Sequence, residues 1–197
     1  MIWLLGCAAG GGAAMDKNKK LIDQIPVEVR DYLTAGDGLA QAAVEEKYPD
    51  VKRILHAPAT RAAVVRYLAS KEPWADPAPS LTLNALSYLQ QGANAKEAAA
   101  IHPLIEHPNP WVRLRVYEYM MAVHYPPRDR PAMIDLFQQM LSDPDEVVRV
   151  QAARWIKGLN LAQDMRPTLQ KWTESAREHN WDTQESYEII QSLVGGR

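Results

Sequence analysis

Asp143-Pro-Asp-Glu-Val-Val-Arg-Val-Gln-Ala-Ala-Arg-Trp-Ile156 decides the fold when laid on His107-Pro-Asn-Pro-Trp-Val-Arg-Leu-Arg-Val-Tyr-Glu-Tyr-Met120, 36 residues upstream. Pro108 and Pro144, Val112 and Val148, and Arg113 and Arg149 are identical pairs. The apolar positions also correspond: Val112, Val116, Tyr119, Met120 and Val123 against Val148, Ala152, Trp155, Ile156 and Leu159. Both sets follow the spacing of a single helix face, so each stretch is a helix with one side in a core.

Working outward, Leu81, Ala85, Tyr88 and Leu89 begin the same stripe, and Gly92 stops that helix. The helices that precede each stripe repeat as well. Arg130-Pro131 and Arg166-Pro167 are 36 apart, followed by Met133/Leu169 and Leu136/Trp172. Proline suits the first helical turn, where its missing N–H had no partner. Ala100, Ile101, Leu104 and Ile105 align with Leu136, Phe137, Met140 and Leu141. No stretch alternates apolar and polar residues as a strand would. The pattern predicts an all-α chain of helical hairpins near 60–91, 94–124, 130–158 and 166–194. Asp143 is expected to cap the later helix, with Glu146 three residues on. Asn109-Pro110 starts the equivalent helix at an offset of two from Pro144, which predicts turns that differ in detail. Residues 16–58 do not match the repeat. Short helices are expected there around 26–34, 38–47 and 49–55, forming an irregular N-terminal cap to a repeat domain over 59–197.

Asp143-Pro-Asp-Glu-Val-Val-Arg-Val-Gln-Ala-Ala-Arg154, read on through Leu159, resembles a HEAT repeat of the short bacterial kind, and Pro108-Asn-Pro-Trp-Val-Arg113 is a looser copy. Pro103 resembles the kinking proline often found in the first helix of such a repeat. The resemblance implies a right-handed α-solenoid with atypical terminal repeats. HEAT-like families include scaffolds, a DNA glycosylase group and phycobilin lyases, and fold alone selects none of them.

Composition removes several classes. The chain has 197 residues with 22 basic and 24 acidic side chains, a net charge of −2. That balance argues against nonspecific nucleic-acid binding, which needs a basic surface. A single cysteine forms neither an internal disulfide nor a cysteine-based zinc site. No apolar run reaches the length of a membrane-spanning helix.

That cysteine, Cys7, lies in the segment 1–15, before a Gly/Ala tract that reads as a tether. Leu4-Leu5-Gly6-Cys7 resembles the lipobox of bacterial lipoproteins. The resemblance implies lipid attachment at Cys7 and a place in the bacterial cell envelope, with Ala8 pointing to the periplasmic face of the outer membrane. Met15-Asp-Lys-Asn-Lys-Lys20 supports the alternative of a cytoplasmic chain beginning at Met15.

No catalytic set stands out. His102 and Glu106, four apart, lack the further ligands of a metal site, and no nucleophile elbow or phosphate-binding glycine pattern occurs. No cofactor or metal is expected, and a non-catalytic interaction module is the leading expectation. An enzyme on a HEAT-like scaffold, lyase-like or glycosylase-like, is the further alternative. Arg113 and Arg149 share a repeat position and are expected to bond a neighbouring turn, with Asp143, Asp145 and Glu106 as candidate partners. Opposite the core stripe lie Leu83 and Leu86, then Leu114, Tyr117 and Met121, then Val150 and Ala153. Stacked across repeats, that row forms either a groove for a partner protein or peptide or an ordinary packing face. Trp111, Trp74 and Trp181 are candidate exposed anchors, since tryptophan combines an apolar body with a polar tip.

Overall fold

A computed structural model describes residues 20–75, 79–124 and 129–195. Cys7 and the rest of the first nineteen residues lie outside them. The described chain is all-α, with eleven α-helices and no strand among the described residues. Three short N-terminal helices, α1 (Val27–Thr34), α2 (Gly38–Lys47) and α3 (Val51–Leu55), follow a 3-10 turn at Leu21–Gln24. Four helix pairs follow: α4 (Pro58–Leu68) with α5 (Ser80–Gln90), α6 (Ala95–Ile101) with α7 (Pro110–His124), α8 (Arg130–Leu141) with α9 (Glu146–Gly158), and α10 (Arg166–Glu178) with α11 (Glu185–Gly195).

Members of each pair pack on each other, and the second members form a row in which α5 meets α7, α7 meets α9 and α9 meets α11. Most of the matched stripe is buried in one continuous core: Leu81, Ala85, Tyr88 and Leu89, then Val112, Val116, Tyr119 and Met120, then Val148, Ala152 and Ile156. Leu104, Met133, Phe137, Met140 and Leu169 meet it from the first members and the 3-10 turn that extends α6.

Local chemistry sets the boundaries. Asp37, Asn94 and Asp129 cap α2, α6 and α8 by accepting the N–H three residues on, at 2.8, 3.0 and 3.1 Å. Pro103 ends α-helical bonding in α6, and the chain continues as a 3-10 turn over His102–Glu106. Asn160 and Asn180 take positive φ, 54° and 57°, just past α9 and α10. There the N–H groups of Leu161 and Trp181 reach back five residues to Ile156 and Ala176, which closes both helices in the Schellman manner.

Two expectations about the turns before α7 and α9 are corrected. Asp145, rather than Asp143, caps α9, accepting the Val147 N–H at 2.9 Å. The turns also correspond bond for bond. Asn109 accepts from Trp111 as Asp145 accepts from Val147, and His107 Nδ1 accepts from Asn109 as Asp143 Oδ1 accepts from Asp145. The 36-residue step therefore holds through the turns. The two prolines flank different bonds of one shared geometry.

The N-terminal helices join the pairs through polar side chains of α5. Asn84 donates to the carbonyls of Leu33 and Ala35, and the Tyr88 hydroxyl donates to the Leu55 carbonyl. Each bond satisfies the carboxyl end of a short helix, whose last carbonyls have no partner within it. Glu72 accepts the backbone N–H groups of Leu21 and Ile22 and so satisfies the amino end of the first turn.

Candidate functional site

The repeat-position arginines are buried and consumed by turns. Arg113 donates two bonds to the Asp143 carboxylate and others to the carbonyls of His107 and Pro108. Arg149 donates to the Asp143 carbonyl and to Gln184 Oε1, and its guanidinium lies 3.9 Å from the Trp181 ring centroid. Asp143 thus holds one arginine by its side chain and the next by its backbone. Asp145 and Glu106 make neither contact.

The row opposite the core stripe does not form an exposed band. Leu86, Tyr117 and Ala153 are buried in the core, and Leu83 and Met121 are half-buried against it. Close approach of successive helices in the row encloses these side chains. Burial also pushes the Tyr117 phenol up to about 12.

Toward the amino-terminal ends of α7 and α9 the row opens. Trp111, Leu114, Val147, Val150 and Gln151 line a groove of about 510 Å³, edged by Glu146, Arg154 and Glu185. Trp111 is 53% exposed, while Leu114 and Val150 are nearly covered and form the apolar floor. The indole sits there because α7 begins at Pro110, at the surface, and Asn109 ties down its backbone N–H. The rim is polar and internally ordered. Arg154 pairs with Glu185 at 2.6 Å, and Glu146 accepts the Glu185 backbone N–H at 2.8 Å. With Arg154 set against Glu146 and Glu185, the edge carries one excess negative charge.

The other two tryptophans are not free anchors. Trp74 packs against the core and its ring lies 5.4 Å from that of His107. Trp181 lies between His179 and Arg149. His102 and Glu106 are both exposed on a 3-10 turn, where residues four apart no longer share a face. No group of three or more potential metal ligands occurs among the described residues, and none of their helices is long and apolar enough to cross a membrane.

The groove was only partly visible from spacing. Helix-face spacing points to Leu114 and Val150, and side-chain chemistry to Trp111, but neither points to Val147 or the Glu146–Arg154–Glu185 rim. Val147 carried a signal, since it aligns with Trp111 at the 36-residue offset. The rim depends on α11 and has no repeat counterpart. No family model matches the chain, and neither a curated protein nor a solved structure matches it.

Proposed function

We propose that this chain is a non-catalytic protein-interaction module. In this reading the helix pairs stack as a right-handed HEAT-like solenoid, and the groove between α7 and α9 takes a short apolar segment of a partner protein. The observation that carries the reading is Trp111, a large exposed aromatic beside an apolar floor with a polar rim. That combination of aromatic anchor, dry centre and wet edge favours protein recognition. The anchoring side chain would enter between Trp111 and Val150, and a basic group on the partner would meet the excess negative charge of the rim. Lipid on Cys7 would hold this surface near an envelope membrane, and stable attachment takes more than one acyl chain.

Selection of random peptides on the full chain tests the groove. Enriched peptides are expected to share an apolar anchor and to lose binding to Trp111→Ala and, separately, to Val147→Glu. Peptides that bind both variants as well as the parent would sink this reading. Intact-mass measurement of protein expressed with its natural upstream sequence tests the anchor. A multiply acylated Cys7 supports it, and an N-terminus at Met15 ends it.

A further inference from the structure

A second concavity lies where the N-terminal helices close over α5. It has a volume of about 270 Å³ and is lined from α1, α2, α3 and α5. Its wall from α5 carries Asn84 and Ser87, at i and i+3 on one face, and Gln91 follows at the helix end. The register that aligns Leu81, Val112 and Val148 places Asn84 with Arg115 and Gln151, and Ser87 with Glu118 and Arg154. Three of those four counterparts are charged. On α5, which packs against α1, Asn84 and Ser87 are half-buried neutral hydrogen-bonding groups.

We infer that this cleft binds a small neutral polyhydroxylated molecule of monosaccharide size. Its volume equals about nine water molecules at liquid density, room for one sugar ring. No carboxylate lines it among the described residues. Its lysine, Lys52, is already paired with Glu45 at 2.7 Å, so no unpaired carboxylate or lysine charge is left to select a charged ligand. The polar groups divide into two sets. Asn84 Nδ2 and the Ser87 and Tyr88 hydroxyls are taken by backbone carbonyls. The side chains of Gln41, His56 and Gln91 make no hydrogen bond to protein among the described residues, and Asn84 Oδ1 keeps an accepting position. Two amides offer donors and acceptors together, which suits hydroxyl groups that also do both. Tyr32, Leu33 and Leu55 supply apolar wall for the C–H face of a sugar ring. The site is independent of the groove at Trp111, and neither reading depends on the other.

Titration of the ¹⁵N-labelled full chain by NMR tests this. Glucose and N-acetylglucosamine serve as neutral probes, and sodium acetate and sodium phosphate as charged ones, each to about 50 mM. Millimolar binding of a neutral probe is expected, with shifts confined to α1, α3, α5 and the side-chain amides of Gln41, Asn84 and Gln91. The double variant Gln41→Ala with Gln91→Ala is expected to bind at least about tenfold more weakly with an unchanged melting temperature. The parent titration decides the matter if that variant does not fold. Shifts at this cleft with acetate or phosphate alone, shifts elsewhere only, or none with any probe would overturn the inference. So would undiminished binding by the folded double variant.

Discussion

Arg113 meets both carboxylate oxygens of Asp143, through Nε at 2.8 Å and Nη2 at 2.6 Å, and both side chains are more than nine-tenths buried. The pair joins α7 to the turn that leads into α9. Removing one partner strands a charge, which costs more than the intact pair contributes. Asp143→Ala is therefore expected to lower the unfolding free energy by about 3–5 kcal/mol in urea denaturation. Arg113→Met combined with Asp143→Leu is expected to lose less than that single change. Single variants within about 1 kcal/mol of the parent would contradict this account.

Arg149 is 1% exposed and meets only neutral acceptors. Burial lowers its pKa, though a guanidinium keeps its proton. Gln184→Glu places a carboxylate where an amide oxygen already accepts from Nη2. A gain of about 1–2 kcal/mol at neutral pH is expected, the increment of a charge-assisted bond. The neighbouring cation depresses the introduced carboxyl's pKa in the folded state. The gain is therefore present above the ordinary glutamate value of about 4.3 and disappears as pH falls through the depressed value. Thermal unfolding at pH 7 and pH 3 measures the difference.

Glu97 ties α6 to α4 and α7. Burial pushes its carboxyl up, but hydrogen bonds from Arg61 and Tyr119, with the Asn94 amide nearby, outweigh this and hold it below the ordinary value of 4.5. A depressed carboxylate contributes stability that is full above 4.5 and is lost on acidification through the lower folded value. Glu97→Gln is expected to be less stable at pH 7 and to show a flatter stability profile below pH 4.5. Equal slopes for parent and variant would refute the assignment.

Asn180 occupies the left-handed region at φ 57°. Asn180→Ala keeps the β-carbon in that conformation but removes the short polar side chain that eases it, and is expected to cost about 1 kcal/mol. Asn180→Gly is expected to cost nothing or to stabilise slightly. Denaturant midpoints of the two variants separate backbone conformation from side-chain contact, since both remove the amide.

Helix positions from residue 58 onward were legible because their stripes repeat at a fixed step. Leu81, Val112 and Val148 mark equivalent points on α5, α7 and α9. The cap before α9 was not, because Asp143 and Asp145 both stand before it with suitable chemistry. Only the geometry shows that Asp143 is engaged by Arg113 and leaves the capping to Asp145. Spacing places Leu83 and Tyr117 in one apolar row, although Tyr117 is 4% exposed and Leu83 only half-buried. Exposure depends on how closely neighbouring helices approach, which spacing along one helix does not carry. The cleft on α5 was illegible for a related reason: its other walls come from α1, α2 and α3, which share no register with it.

Asn84 and Tyr88 complete the ends of α1 and α3, 51 and 33 residues upstream of them. A chain made from its amino terminus produces those helices well before the side chains that finish them. During synthesis their last carbonyls can be satisfied only by water until α5 emerges. The carboxyl ends of α1 and α3 therefore gain their protein partners only once the first helix pair has been made.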